Sequence, residues 1–284
     1  MQEMKCLFST VLALYYSIGL ANADVTLVYG HGADTGEVPT PTHQVMIRDG
    51  QVAIANAADK RLLIFDSKAG SAWVVDHDFK EKTPVTAEGL EKLAARLMES
   101  QQRALAEIEK KMSQMSKEDR EGLRPTLDML QAAVASPEKL TAPAYRVEEV
   151  GHTEKFLGIE AKGAWLLKGD AKIAQTLLAS PEAAGLKEED RAALVGLSGY
   201  LERLTKGLPA MVRASLGLSG LIAPDGRLVL KSVPEAAGGS RMELLAIRSD
   251  AVEKGWFNAP ADYAVVAMEV MVGSVSPPKA EEKK

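Results

Sequence analysis

The chain has 284 residues, with 34 Lys and Arg against 39 Asp and Glu and a formal net charge of −5. A mildly acidic chain without a basic run is a poor match for nucleic acid or an anionic lipid surface, both of which are held by Lys and Arg. The only cysteine is Cys6, near the start, so residues from 24 onward can form no disulfide, thiolate nucleophile or thiolate metal site.

Residues 1–23 read as an export signal. Lys5 supplies positive charge, Leu7 to Leu20 is apolar, and Ala21-Asn22-Ala23 has the small-x-small form cut by signal peptidase. Met4 would give a tidier start than Met1. The apolar run is too short for a stable spanning helix, and no later run reaches the ~18 residues that a spanning helix needs. Cleavage after Ala23, a periplasmic location and no integral membrane segment are expected.

From Asp24 to Thr83 the pattern is that of strands. Val25–Tyr29 is β-branched, and residues 30–42, rich in Gly, Pro and Thr, read as a loop. Val45–Arg48 and Gln51–Ile54 flank Asp49-Gly50, a strong hairpin signal. Arg61–Asp66 and Ser71–Asp76 form a second hairpin, so an antiparallel meander is expected. At Thr86 the period changes to about 3.6. Leu90, Leu93, Leu97, Ala104, Ile108, Met112 and Met115 mark a helix capped by Thr86, with Glu88 at its positive end. A second helix is expected from Ser116, kinked or begun at Pro125, giving a helical insertion over about 86–136 closed by Ser136-Pro137. Strand signals return at Tyr145–Val150 and Ile159–Leu167. Leu186–Leu204 is helical, stopped by Gly207-Leu208-Pro209. Arg227–Val233, Met242–Arg248 and Tyr263–Met271 read as late strands. Residues 276–284 are Pro, Ala, Glu and Lys and are expected to be disordered.

This order gives a single α+β domain over 24–275. The two strand groups are expected to join in one curved antiparallel sheet covered by the helices.

Four stretches carry a resemblance: Arg61–Asp66 with Trp73–Asp78; the helix with its Met112–Met115 turn and Arg120; residues 150–158, Val-Gly-His-Thr-Glu-Lys-Phe-Leu-Gly; and residues 256–263, Trp-Phe-Asn-Ala-Pro-Ala-Asp-Tyr. Together they resemble an uncharacterised family of exported bacterial proteins, domain of unknown function 4412. The plan is also similar to periplasmic lipoprotein carriers of the LolA type. That resemblance implies a half-barrel sheet covered on its concave face by a helical hairpin and a further helix, in a periplasmic setting. It implies no activity and no site residues. Where many family members carry a cysteine a few residues after Gly158, this chain has Ala161 and Gly163.

Candidate chemistry is sparse. His31 and His43 with Asp34 have the donor types of a zinc or copper site but no helical ligand spacing, and a solvated loop is the simpler reading. Asp76-His77-Asp78 could raise the imidazole pKa, yet neighbours in a strand point to opposite faces. Ser198 and Ser219 lack a nucleophile elbow, and no phosphate loop is present. No catalytic residue, metal or cofactor is therefore expected, and the chain is not expected to be an enzyme. Leu97, Ile108, Met112 and Met115 either line a pocket for an apolar ligand, a lipid or acyl chain, or simply pack on the sheet. The alternative is an interaction or structural module with a filled core and an envelope protein as partner, met through a helix face or the loop around Pro39 and Pro41.

Overall fold

The computed structural model describes residues 24–32, 39–56, 61–116, 145–206, 208, 220–235 and 239–273, together with Glu121, Gly122, Arg124 and Leu127. The export signal, its cleavage point and the 276–284 tail lie outside these residues. So does most of the second arm of the expected helical hairpin, of which the four separate positions are helical.

Among the described residues, twelve strands form one curved, unclosed sheet. In chain order they are β1 (Val25–Gly32), β2 (Thr40–Arg48), β3 (Gln51–Asn56), β4 (Arg61–Asp66), β5 (Ser71–Asp76), β6 (Glu81–Pro84), β7 (Tyr145–Phe156), β8 (Ile159–Lys168), β9 (Ala171–Ala179), β10 (Leu228–Pro234), β11 (Arg241–Arg248) and β12 (Ala264–Val265). Their spatial order is β12-β6-β5-β4-β3-β2-β1-β11-β10-β9-β8-β7. Two meanders, β2 to β6 and β7 to β11, are thus joined by β1, which pairs antiparallel with both β2 and β11. Every pair is antiparallel except β12 with β6. Among the described residues, the α-helices that span a continuous range are α1 (Ala87–Ser113), α2 (Glu188–Thr205) and α3 (Met268–Gly273).

Turn chemistry sets the registers. Asp49 and Gly50 have φ of 49° and 80°, a two-residue turn that places Arg48 opposite Gln51. Leu157 and Gly158 repeat it, with φ of 50° and 81° between Phe156 and Ile159. Of the stretch expected as a loop over 30–42, residues 33–38 lie outside the described residues and both described ends are strand: β1 continues through Gly32 and β2 begins at Thr40. Gly30 makes this possible, because a Cβ there would lie 2.8 Å from the Thr40 carbonyl oxygen. Pro41 accordingly sits in a strand opposite Gly30, and Pro39 is buried.

Helix α1 starts where expected, with Thr86 Oγ1 accepting the Gly89 N–H at 3.1 Å. Helix α2 is held at its start by Asp190, whose Oδ2 accepts the Lys187 N–H. Leu90, Leu93 and Ala94 of α1 and Ala193, Leu194, Leu197 and Leu201 of α2 share one apolar cluster with Leu27, Tyr29, Val45, Ile47, Phe65, Leu230 and Leu244 of the sheet. Tyr29 is wholly buried there, and its hydroxyl donates to the Val229 carbonyl at 3.1 Å. Gly196 lets α2 approach the Phe65 ring, which also lies 5.5 Å from that of Tyr200.

The opposite face of β2 to β5 has its own cluster of Met46, Ala53, Leu62, Ile64 and Val75, closed by Phe257. Phe257 belongs to a 3-10 turn (Lys254–Phe257) in a strap that leaves β11 and crosses this face. Val252 anchors the strap, its N–H donating to Asp24 Oδ2 at 2.7 Å and its carbonyl accepting from Arg48. Lys82 Nζ then donates to the Pro260 carbonyl at 2.6 Å, and Ala264 and Val266 donate to the Lys80 and Lys82 carbonyls. The stretch expected as a strand over Tyr263–Met271 therefore pairs for two residues only. It rounds the β6 edge and becomes α3, which seats Met268 in the first cluster and gives the Glu269 carbonyl to Arg96 of α1 at 2.7 Å.

Candidate functional site

Residues reaching the described structure from the expected sites fall in three places. The first is α1. Its apolar stripe is buried at the root, and Leu97 still packs against the cluster of sheet and helices. Ile108, Met112 and Met115 remain half-exposed. At 1.5 Å per residue Ile108 and Met112 lie about 16 and 22 Å from Leu97 along the helix axis, with Met115 just past the helix end, so Leu97 and the distal three are different environments.

The second place is the far end of the β1–β2 ladder. Thr42, the extra residue of a bulge in β2, accepts from or donates to both His31 Nδ1 at 2.6 Å and His43 Nδ1 at 3.0 Å, and the two rings are 5.3 Å apart. The two histidines are thus brought together, with hydroxyl oxygen at the point where their nitrogens converge. Asp34, the third expected donor, lies outside the described residues. Among those residues no group of three or more His, Cys, Asp or Glu could hold a metal ion. Burial pushes the His31 pKa below the ordinary imidazole value. A depressed folded-state pKa means that, as pH falls below about 6.5, the unfolded chain takes up a proton that the folded chain still refuses. Stability is full above that pH and declines down to the folded value. Thermal melts between about pH 7.5 and pH 5.5 should show a smaller loss for His31→Gln than for the native chain. An equal loss would assign the acid sensitivity to other groups.

The third place is the β5–β6 turn. Asp76 is 4% exposed and committed to structure: Oδ2 meets Arg61 Nε at 3.0 Å, and Oδ1 accepts the Asp78 and Phe79 N–H groups. His77 Nδ1 lies 2.9 Å from the Tyr263 hydroxyl of the strap. Asp76 and His77 thus have different partners, and only Asp76 belongs to β5, with His77 and Asp78 in the turn that follows. Of the serines, Ser198 is exposed on α2 next to the buried Leu197, and Ser219 lies outside the described residues.

A fourth feature escaped the sequence reading. Where the strap crosses the sheet, a cleft of about 300 Å³ opens between Phe257-Asn258-Ala259 and side chains of β3 to β6. Its floor holds Ile64 and the half-buried Trp73, with Gln51, Asp66 and Ser71 at one side and Lys82 at the other. Lys82 Nζ sits 5.8 Å from the Trp73 ring centroid. Strands β4 and β5 do carry a local signal for a covered second face: Leu62-Leu63-Ile64-Phe65 is continuously apolar rather than alternating.

No family model matches the chain, and no curated protein does. Two solved structures of PNGF-II, in the C2 and P21 space groups, align at 11% and 10% identity over 86% and 84% of this chain, each with a TM-score of 0.34. The chain spans only 30% of the length of either. No helix among the described residues is long and apolar enough to cross a membrane.

Proposed function

We propose that the chain is an exported periplasmic module that binds an apolar ligand, a lipid or acyl chain, along the distal half of α1, on a LolA-like half-barrel plan with helices over the concave face. The reading rests on one observation: the stripe that roots α1 in the core continues outward as Ile108, Met112 and Met115, side chains still half in water. Met is flexible and polarizable, suited to an apolar guest without a fixed shape. A filled-core module remains the second reading. Supporting it is the tight packing at the α1 root, where Leu90 and Leu93 are 0% and 2% exposed and leave no room for a guest.

Native mass spectrometry of the protein purified from envelope, with solvent extraction of the same sample, separates the two. An adduct of lipid mass is expected, and the double variant Ile108→Asp, Met112→Asp should lose it while keeping its helical circular dichroism. Ligand-free protein that also fails to take up a fluorescent fatty acid would overturn the carrier reading and favour the filled module. N-terminal sequencing of exported protein tests the setting, with Asp24 expected first.

A further inference from the structure

The cleft under the strap lies on the other face of the sheet from the core that roots α1, and it presents different chemistry. Two amides flank it, and in both the nitrogen is already engaged. Gln51 Nε2 donates to Asp66 Oδ2 at 3.2 Å, and Asn258 Nδ2 donates to the Lys254 carbonyl at 3.1 Å. Each keeps its carbonyl oxygen as an acceptor and a second N–H as a donor. Asp66 adds carboxylate oxygen, and Ser71 a hydroxyl at the same rim. The Ala69 N–H bonded to Asp66 holds that carboxyl below its usual range, so it stays ionised and accepts only. The floor beneath is the indole of Trp73.

An aromatic floor ringed by amide, carboxylate and hydroxyl groups, richer in acceptors than donors, selects a guest with an apolar flank and several hydroxyls that donate and accept. An anion is disfavoured by the Asp66 charge. An organic cation is disfavoured by the positive charge of Lys82, held 5.8 Å from the Trp73 ring centroid by its bond to the Pro260 carbonyl, a repulsion that a neutral guest does not feel. A volume of about 300 Å³ is at the small end for ligand pockets, room for a single ring rather than a chain. We propose that this cleft is a binding subsite for a neutral saccharide ring, stacked on Trp73 and donating its hydroxyls to Gln51, Asp66 and Asn258.

The test uses the full mature chain with fluorotryptophan in place of its three tryptophans. Fluorine NMR then reports Trp73, Trp165 and Trp256 separately, with Trp73 assigned by its loss in Trp73→Phe. Titration with methyl glucoside, N-acetylglucosamine and maltotriose should shift the Trp73 signal saturably, with Kd on the order of 1–10 mM, and leave Trp165 unmoved. Gln51→Ala and Ser71→Ala, both at half-buried rim positions, should each weaken binding severalfold without changing the free spectrum at Trp165. The proposal is overturned if none of the three sugars moves the Trp73 signal by about 100 mM. It is equally overturned if tetramethylammonium or sulfate moves it as strongly, or if both rim variants bind as the native chain does. Ligand uptake at α1 is read by mass, so either site can fail without the other.

Discussion

Phe257→Ala should destabilise the protein by about 3–5 kcal/mol, the range for removing a buried aromatic ring from a packed site. Its ring is 4% exposed and closes the apolar cluster on the second face of the sheet. Losing it leaves Met46, Leu62, Ile64 and Val75 facing a cavity or water. Its neighbour Trp256 is 37% exposed, so Trp256→Ala should change stability by no more than about 0.5 kcal/mol. Urea unfolding of both variants checks the pair, and the larger aromatic is expected to matter less. The strap also ends in a second buried anchor, Met268, 3% exposed in the cluster of sheet and helices. If the strap docks as a unit, Phe257→Ala and Met268→Ala should combine to less than their sum, because the first already loosens the segment that positions the second. Full additivity would mean that the two anchors are independent.

The strap also marks the limit of what the sequence could reveal. Its stretch Tyr263–Met271 has the β-branched composition of a strand, and the backbone does pair at Ala264 and Val265. What ends the pairing is tertiary: the chain has reached the edge strand and must turn over it for Met268 to reach the core. Composition carries no trace of that edge. Local chemistry was more legible where a few neighbouring residues decide the outcome. Asp49-Gly50 dictates a turn with positive φ at both positions, and Thr86 caps the helix it precedes. The strands that escaped notice are those whose residues resist pattern reading. Strand β6 is Glu81-Lys82-Thr83-Pro84, nearly all polar, and forms because β5 offers it a ladder on one side. Strand β9 loses its alternation beside register shifts against both β8 and β10.

The candidate sites divide in the same way. Stripe residues of α1 could be found from spacing alone, because one helix carries them all. The pairing of His31 with His43 needs the β1–β2 register and a bulge at Thr42, and only the residue types pointed to it. The cleft needs Trp73 of β5 and Asn258, brought together by a strap that follows six intervening strands, β6 to β11. Continuous apolar character in β4 was its one local sign, and it told that the face is covered without telling by what.

Asp76→Ala should cost about 3–5 kcal/mol, the usual consequence of breaking a buried ion pair from one side. Its near twin Asp66 should cost only about 1–2 kcal/mol when replaced by Ala. Both residues end a strand and start a four-residue turn, opposite Glu81 and Ser71 respectively. Each uses Oδ1 to accept two N–H groups of its turn: Asp78 and Phe79 for Asp76, Lys68 and Ala69 for Asp66. The turn contribution is therefore matched, and the remaining oxygen differs. Asp76 Oδ2 meets the Arg61 guanidinium at 3.0 Å in buried surroundings, where water screens little. Asp66 Oδ2 meets a neutral amide at 3.2 Å beside solvent. A cycle of Asp76→Ala and Arg61→Ala by chemical denaturation should return a coupling energy of about 1–3 kcal/mol. Equal costs for the two aspartates, or a coupling near zero, would mean that the turn bonds alone explain both and that the buried pair adds nothing.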